Sequence, residues 1–263
     1  MNLRRIQALV LRYTYVYRRS AIRILEIFFW PAIDLLVWGL LTLYLEKPGR
    51  QLPSGVAFLV GAVIFWDVIY RSQQGITVSF LEDVWSRNLL NLFAAPVRVT
   101  EFVGATCIVG VLKTVVVGVY LAALAFLLYR FNLLAVGTAL FPLFVNLLLM
   151  GWTLGIATTA LLLRWGQAAE ALAWAVPFAI QPFAAVFYPV STLPSWLQPV
   201  AWAIPATHVF EGMRLALRGG HPWDRVVYAT LLNLAYLALA SAFFASLFAA
   251  ARRKGLLVKI GTQ

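Results

Sequence analysis

Long apolar runs, separated by short polar breaks, set the plan of this chain. The first covers about residues 24–45 and closes on Glu46-Lys47-Pro48-Gly49-Arg50. A second covers about 55–73, and after Pro96 come runs over about 103–129 and 134–163, closed by Arg130-Phe131-Asn132 and Arg164-Trp165-Gly166-Gln167. The last two cover about 168–190 and 225–251, the final one leading into the basic tail Arg252-Arg253-Lys254. Most of these runs approach or exceed the roughly 20 residues that a helix needs to cross a hydrocarbon core of about 30 Å. The pattern predicts an all-α polytopic membrane protein, a single transmembrane domain over residues 1–263 with six transmembrane helices.

Three stretches break the rhythm. Residues 3–20 interleave Arg4, Arg5, Arg12, Arg18 and Arg19 with Ile6, Leu9, Tyr13, Val16 and Tyr17, the signature of a basic amphipathic helix lying in the membrane interface. Residues 79–95 form the longest interior segment that reads as two-faced. Leu81, Trp85, Leu89, Leu92 and Phe93 recur at helical spacing, while Glu82, Asp83, Ser86, Arg87 and Asn91 fall opposite them. Ser79 followed by Glu82 has the form of a capping box, and Pro96 ends the element, so a separate helix of about four turns is expected there. A plain connector between spans is the alternative. Residues 191–223 carry Pro194, Pro199, Pro205, Gly219, Gly220 and Pro222, too many breaks for a span, yet their apolar pieces are too greasy for a free loop. A re-entrant outer segment, covered by protein where its backbone reverses, satisfies both facts.

Composition agrees with the membrane class and removes several alternatives. Of the residues 62% are hydrophobic and 12% charged. The single cysteine, Cys107, excludes an intramolecular disulfide, and two histidines without a Cys/His cluster argue against a metal site. The formal charge of +11 does not point to nucleic acid, because the basic residues gather beside the apolar spans. In the six-span plan 14 of the 21 Lys and Arg residues fall on the side holding both termini and residues 79–95, six on the other, and Lys113 within a span. That asymmetry places both termini in the cytoplasm, in a cell inner membrane. The start of the chain does not read as a cleavable signal peptide.

The whole plan resembles the permease subunit of an ABC exporter of the ABC-2 type. Two motifs carry the resemblance. One is Glu82 through Val97, with its acidic start, leucine pair and Pro96-Val97 ending; the other is Tyr188-Pro189-Val190-Ser191-Thr192-Leu193-Pro194-Ser195-Trp196-Leu197, continuing to Pro205-Ala206-Thr207-His208 and Glu211 to Arg214. The first departs from the family's habit in one place, Arg87-Asn88-Leu89 standing where Gly-Thr-Leu is commoner. The Pro-Thr-His stretch and the short length lean toward the branch exporting polysaccharides and lipo-oligosaccharides. The resemblance implies an ABC ATPase partner, a second copy of the chain, and an amphipathic or lipid-linked substrate moving among membrane lipids. It also implies that 79–95 is a coupling helix, with Glu82, Asp83 and Arg87 as polar contacts to the ATPase and Leu81, Trp85 and Leu89 holding the helix to the permease, and that Pro194, Trp196, Pro205, His208, Glu211 and Arg214 belong to an outer gate. No phosphate-cradling Gly-rich loop with Gly-Lys-Ser/Thr occurs, since the one Lys-Thr pair, Lys113-Thr114, lies inside a span. No cofactor is therefore expected on this chain, and ATP and Mg belong to the ATPase.

Charges within the spans need partners or a wet cavity. Asp34 and Lys113 lie at a similar depth and are expected to pair, with a substrate or proton role as the alternative. Asp67 and Arg71, four apart, are expected to pair with each other. Gly151-Trp152-Thr153-Leu154-Gly155 is a small-residue packing motif. Trp30, Trp38, Trp66, Trp152 and Trp174, with Phe28 and Phe29, read either as sugar-stacking surfaces or as ordinary packing and interface anchors. Outside the exporter reading stand a drug or lipid efflux permease of the same family, an ion-coupled secondary transporter, and a membrane enzyme. No internal repeat or catalytic cluster supports the last two.

Overall fold

The computed structural model describes residues 2–45, 55–88, 91–92 and 95–253. The polar turn 46–50, Leu89 and Phe93 of the expected coupling helix, and the tail from Lys254 lie outside the described residues. Among the described residues the α-helices given a range are, in order, α1 Leu3–Arg18, α2 Ala21–Leu45, α3 Gly55–Trp85, α4 Val99–Tyr129, α5 Leu140–Trp165, α6 Leu172–Ile180, α7 Gln198–Trp202, α8 Pro205–Leu217 and α9 Trp223–Arg253. Among the described residues there is no strand, as expected where backbone groups must be satisfied within each segment. Among the described residues four apolar segments are long enough to cross a membrane: Ala21–Tyr44, Val99–Tyr129, Leu133–Trp165 and Trp223–Arg253.

Helix α3 is the centre of the bundle. It packs against α2, α4 and α5, and nearly every side chain from Val60 to Ile69 is buried. Enclosure by protein is what lets one helix hold Asp67, Arg71, Ser72, Gln73, Thr77, Glu82 and Asp83, which lipid would not tolerate. Its neighbours come close through glycine. A Cβ at Gly75 would lie 2.6 Å from the Cα of Gly110 on α4, and one at Gly151 on α5 would lie 2.7 Å from the carbonyl oxygen of Ile69. The Gly151–Gly155 motif therefore packs α5 onto α3 within one chain. Polar contacts lock the rest. Asn233 of α9 donates to both Asn146 O and Asn146 Oδ1 at 2.9 Å, while Gln73 and Gln74 donate to Ala173 O at 3.1 and 2.9 Å.

Two expectations are corrected. The stretch 79–95 is not a separate helix beginning at Ser79, because α3 continues through it to Trp85. Ser79 Oγ donates to Gly75 O at 2.7 Å inside the helix instead of capping it. The amphipathic pattern began a turn too late, since Phe80, Leu81 and Val84 extend the buried side of α3. Nor is 168–190 one continuous span. A 3-10 turn at Gly166–Ala169 precedes the nine-residue α6, which is about 14 Å long. Beyond it the chain turns, with Ala185 in the left-handed region at φ 51°. Pro177, Pro182 and Pro189 each remove a backbone donor, so helix cannot be sustained across the segment.

Replacing Gly151 by Leu, or Gly75 by Val, should lower stability in detergent by about 1–3 kcal/mol through overpacking against α3. Gly118→Ala, where no atom lies within 4 Å of the added carbon, should leave the thermal midpoint unchanged.

Candidate functional site

The C-terminal end of α3 is braced by α1. Asn2 caps α1, its side chain accepting from Arg4 N, and the apolar face Ile6, Leu9 and Tyr13 is buried against α3 and α4. That docking aims the polar face at three carboxylates. Asp83, wholly buried, accepts from Arg12 Nη2 at one oxygen and from the Tyr13 hydroxyl at the other, at 2.6 Å. Glu82 accepts from Arg23 Nη1 at 2.6 Å and Tyr17 Oη at 3.1 Å. Glu101, at the start of α4, accepts from Asn2 N at 2.7 Å and Arg98 N at 2.9 Å, with Arg5 at 3.6 Å. Burial, reinforced by the Asp83 charge, pushes the Tyr13 phenol far up, so it stays a proton donor. Burial lowers Arg12, but its hydrogen bond to Asp83 and the negative charges of Asp83 and Glu82 together outweigh this and raise it overall.

Glu82 and Asp83 thus face α1 and α2, not open water as the two-faced pattern predicted. Trp85 reverses too. It is 45% exposed, with its indole donating to Glu170 Oε2 at 3.2 Å. The helix ends in a Schellman arrangement, Arg87 N bonding Val84 O at 3.0 Å and Asn88 N bonding Asp83 O at 2.9 Å. Arg87 occupies the left-handed position at φ 52°, where glycine carries no steric cost. The exposed tip of α3 is therefore Trp85, Ser86 and Arg87. Sequence reading missed Arg12, Tyr13, Tyr17, Arg23 and Glu101. The available signal was the excess of arginine and tyrosine in α1 set against three carboxylates in otherwise apolar surroundings.

Deeper in the bundle, Arg71 Nε donates to Asp67 Oδ2 at 2.6 Å and Arg71 Nη2 to Ile27 O at 2.8 Å. The expected pairing of Asp34 with Lys113 does not form. Lys113 Nζ sits 3.3 Å from the centre of the Tyr17 ring, a cation-π contact that satisfies it on the α1 side, and Asp34 is left facing a groove.

The residues expected at an outer gate fall into two groups. Pro194 and Trp196 are exposed, Trp196 at 72%, whereas Pro205, His208 and Arg214 are buried and Glu211 partly so. Pro205 opens α8 at its first turn, where its missing N–H costs nothing. Arg214 reaches back to the chain after α6 and donates to the carbonyls of Ala185, Val186 and Tyr188, the last at 2.6 Å. Glu211 Oε1 lies 2.9 Å from Arg214 Nη1 and accepts from Val190 N at 2.8 Å. His208 Nε2 donates to Trp202 O at 2.8 Å, which fixes its tautomer, and burial lowers its pKa. Among the described residues no cluster of His, Cys, Asp or Glu is placed to hold a metal.

A double-mutant cycle on Tyr13→Phe and Asp83→Asn should show coupling of about 1 kcal/mol or more, read from thermal unfolding in detergent. Arg87→Gly should raise stability by up to about 1 kcal/mol, the cost of a left-handed non-glycine residue.

With this geometry in place, the comparisons are informative. Among curated proteins the chain has no match. The family model described as ABC-2 type transporter matches residues 4–217. That interval contains the α1 clamp, the α3 tip and the outer helices up to the end of α8. The chain therefore belongs to the ABC-2 type transporter family: it is a multi-pass membrane protein, the permease component of an ABC transporter, whose ATP hydrolysis belongs to a partner ABC ATPase.

Proposed function

We propose that this permease is an exporter that moves an amphipathic or lipid-linked molecule outward, working as two copies with two ATPase subunits in a cell inner membrane. The observation that carries the coupling is the exposed tip at Trp85–Arg87, held by a helix whose last carboxylates are clamped to α1. A surface that must pass on motion needs rigid support, and buried charge-assisted hydrogen bonds supply it. In this reading ATP and Mg are bound by the ATPase, both termini face the cytoplasm, and α3 and the α6 segment complete six crossings. The exposed Pro194 and Trp196, with α7 and α8, form the outer gate. A lipid-like substrate is supported by the aromatic groove beside α2, lined by Trp30, Trp38 and Trp66, with the polysaccharide and lipo-oligosaccharide branch as its more specific form.

Trp85→Ala combined with Arg87→Asn removes the tip's side chains, while Asn tolerates the left-handed backbone. The variant should insert and melt normally yet lose roughly tenfold or more in affinity for the ATPase copurified with the native chain, the loss expected when an aromatic anchor is truncated. Unchanged binding and unchanged nucleotide-dependent transport would sink the coupling assignment.

A further inference from the structure

Along α2 a carboxylate and an indole alternate every four residues: Glu26, Trp30, Asp34, Trp38. Four-residue spacing keeps such positions in one slowly winding stripe. The stripe faces a groove of about 410 Å³, continuous with a cavity of about 360 Å³, the two sharing Trp30, Pro31, Asp34, Asp67 and Tyr70. The far wall of the cavity is aromatic. Phe178 of α6 lies 6.2 Å from Trp66 and 5.6 Å from Tyr70, and Trp38 stacks on Phe187 at 4.1 Å.

The charges do not cancel. Asp34 and Asp67 are the charged residues lining the cavity, and Asp67 is neutralised by Arg71 at 2.6 Å. In the groove every cation is already engaged: Arg23 with Glu82, Arg71 with Asp67, and Lys113 on the Tyr17 ring. Among the described residues Asp34 has neither a hydrogen-bond nor an ion-pair partner, and it stands 13 residues into a 25-residue helix, near the middle of the span. Glu26 is exposed nearer the cytoplasmic end. An unpaired carboxylate at that depth is costly, and aromatic faces around it attract positive charge at little desolvation cost.

We propose that this cavity binds the cationic head of an amphiphile, with Asp34 as counter-ion and Trp30, Trp38, Trp66 and Tyr70 as its aromatic walls. Glu26 and Trp30 form the approach from the cytoplasmic side. The assignment rests on the permease reading above and narrows its substrate class to molecules carrying an organic cation.

Tetraphenylphosphonium and tetraphenylborate share size and shape and differ in the sign of their charge. With the full chain in phosphatidylcholine nanodiscs, and empty nanodiscs as background, the phosphonium should bind saturably and the borate should not displace it. Asp34→Asn should weaken that binding about tenfold or more, and Asp34→Glu should restore most of it. Trp30→Ala and Trp38→Ala, which keep the charge, should each weaken it by about threefold and cover the case in which Asp34→Asn does not fold. Equal binding of the borate, or unchanged phosphonium affinity in a normally melting Asp34→Asn chain, would overturn the assignment. Unchanged ATPase association and transport in the Trp85→Ala, Arg87→Asn variant, with phosphonium binding and its dependence on Asp34 intact, would overturn the coupling reading and leave this one standing.

Discussion

Everything around the end of α3 depends on one constraint: Asp83 is wholly buried, and a buried carboxylate must be given hydrogen-bond donors. Arg12 and Tyr13 deliver them from a helix that is otherwise a surface element. Because Tyr13 also belongs to the apolar face of α1, the polar and apolar contacts lock in one register. Glu82 and Glu101 repeat the arrangement on either side, so α1 is tied to the end of α3 and the start of α4 at three points. The exposed tip at the end of α3 is thereby firmly backed.

The same logic orders the membrane interior. Polar side chains collect on α3 because it is the helix most enclosed by others, and glycines on α4 and α5 let those neighbours approach. Where a charge sits on a less enclosed helix, the outcome differs. Lys113 is satisfied by a tyrosine from α1, while Asp34 on α2 opens onto an aromatic hollow.

Much of this was legible in the residues. The apolar runs at 24–45, 103–129, 134–163 and 225–251 correspond to four long apolar helices, and the four-residue spacing of Asp67 and Arg71 gave their ion pair. The small-residue motif at Gly151 and Gly155 lies against α3. What was not legible is instructive. Periodicity alone could not tell a water-facing carboxylate from one facing a basic helix distant in sequence, so the polar side of 79–95 was assigned to the wrong surroundings. Equal depth did not make Asp34 and Lys113 partners, because depth says nothing of rotation about the helix axis. The prolines at 177, 182 and 189 were visible, but apolar content outweighed them in reading 168–190 as one span. The departure at Arg87 now has a backbone meaning, since the position is left-handed and suits glycine.

Arg214 carries a mechanical consequence. A guanidinium that holds three carbonyls at the broken end of the fifth segment acts as a splice, joining two lengths of chain nearly thirty residues apart. Glu211 adds a second stitch through the Val190 amide. These contacts tie α8 to the turn at Ala185–Tyr188, so the two form one braced unit. Beyond α8 the chain reverses at Gly219, whose φ of 76° lets the last helix fold back and pack along α8, so the spliced unit is carried on α9 as well.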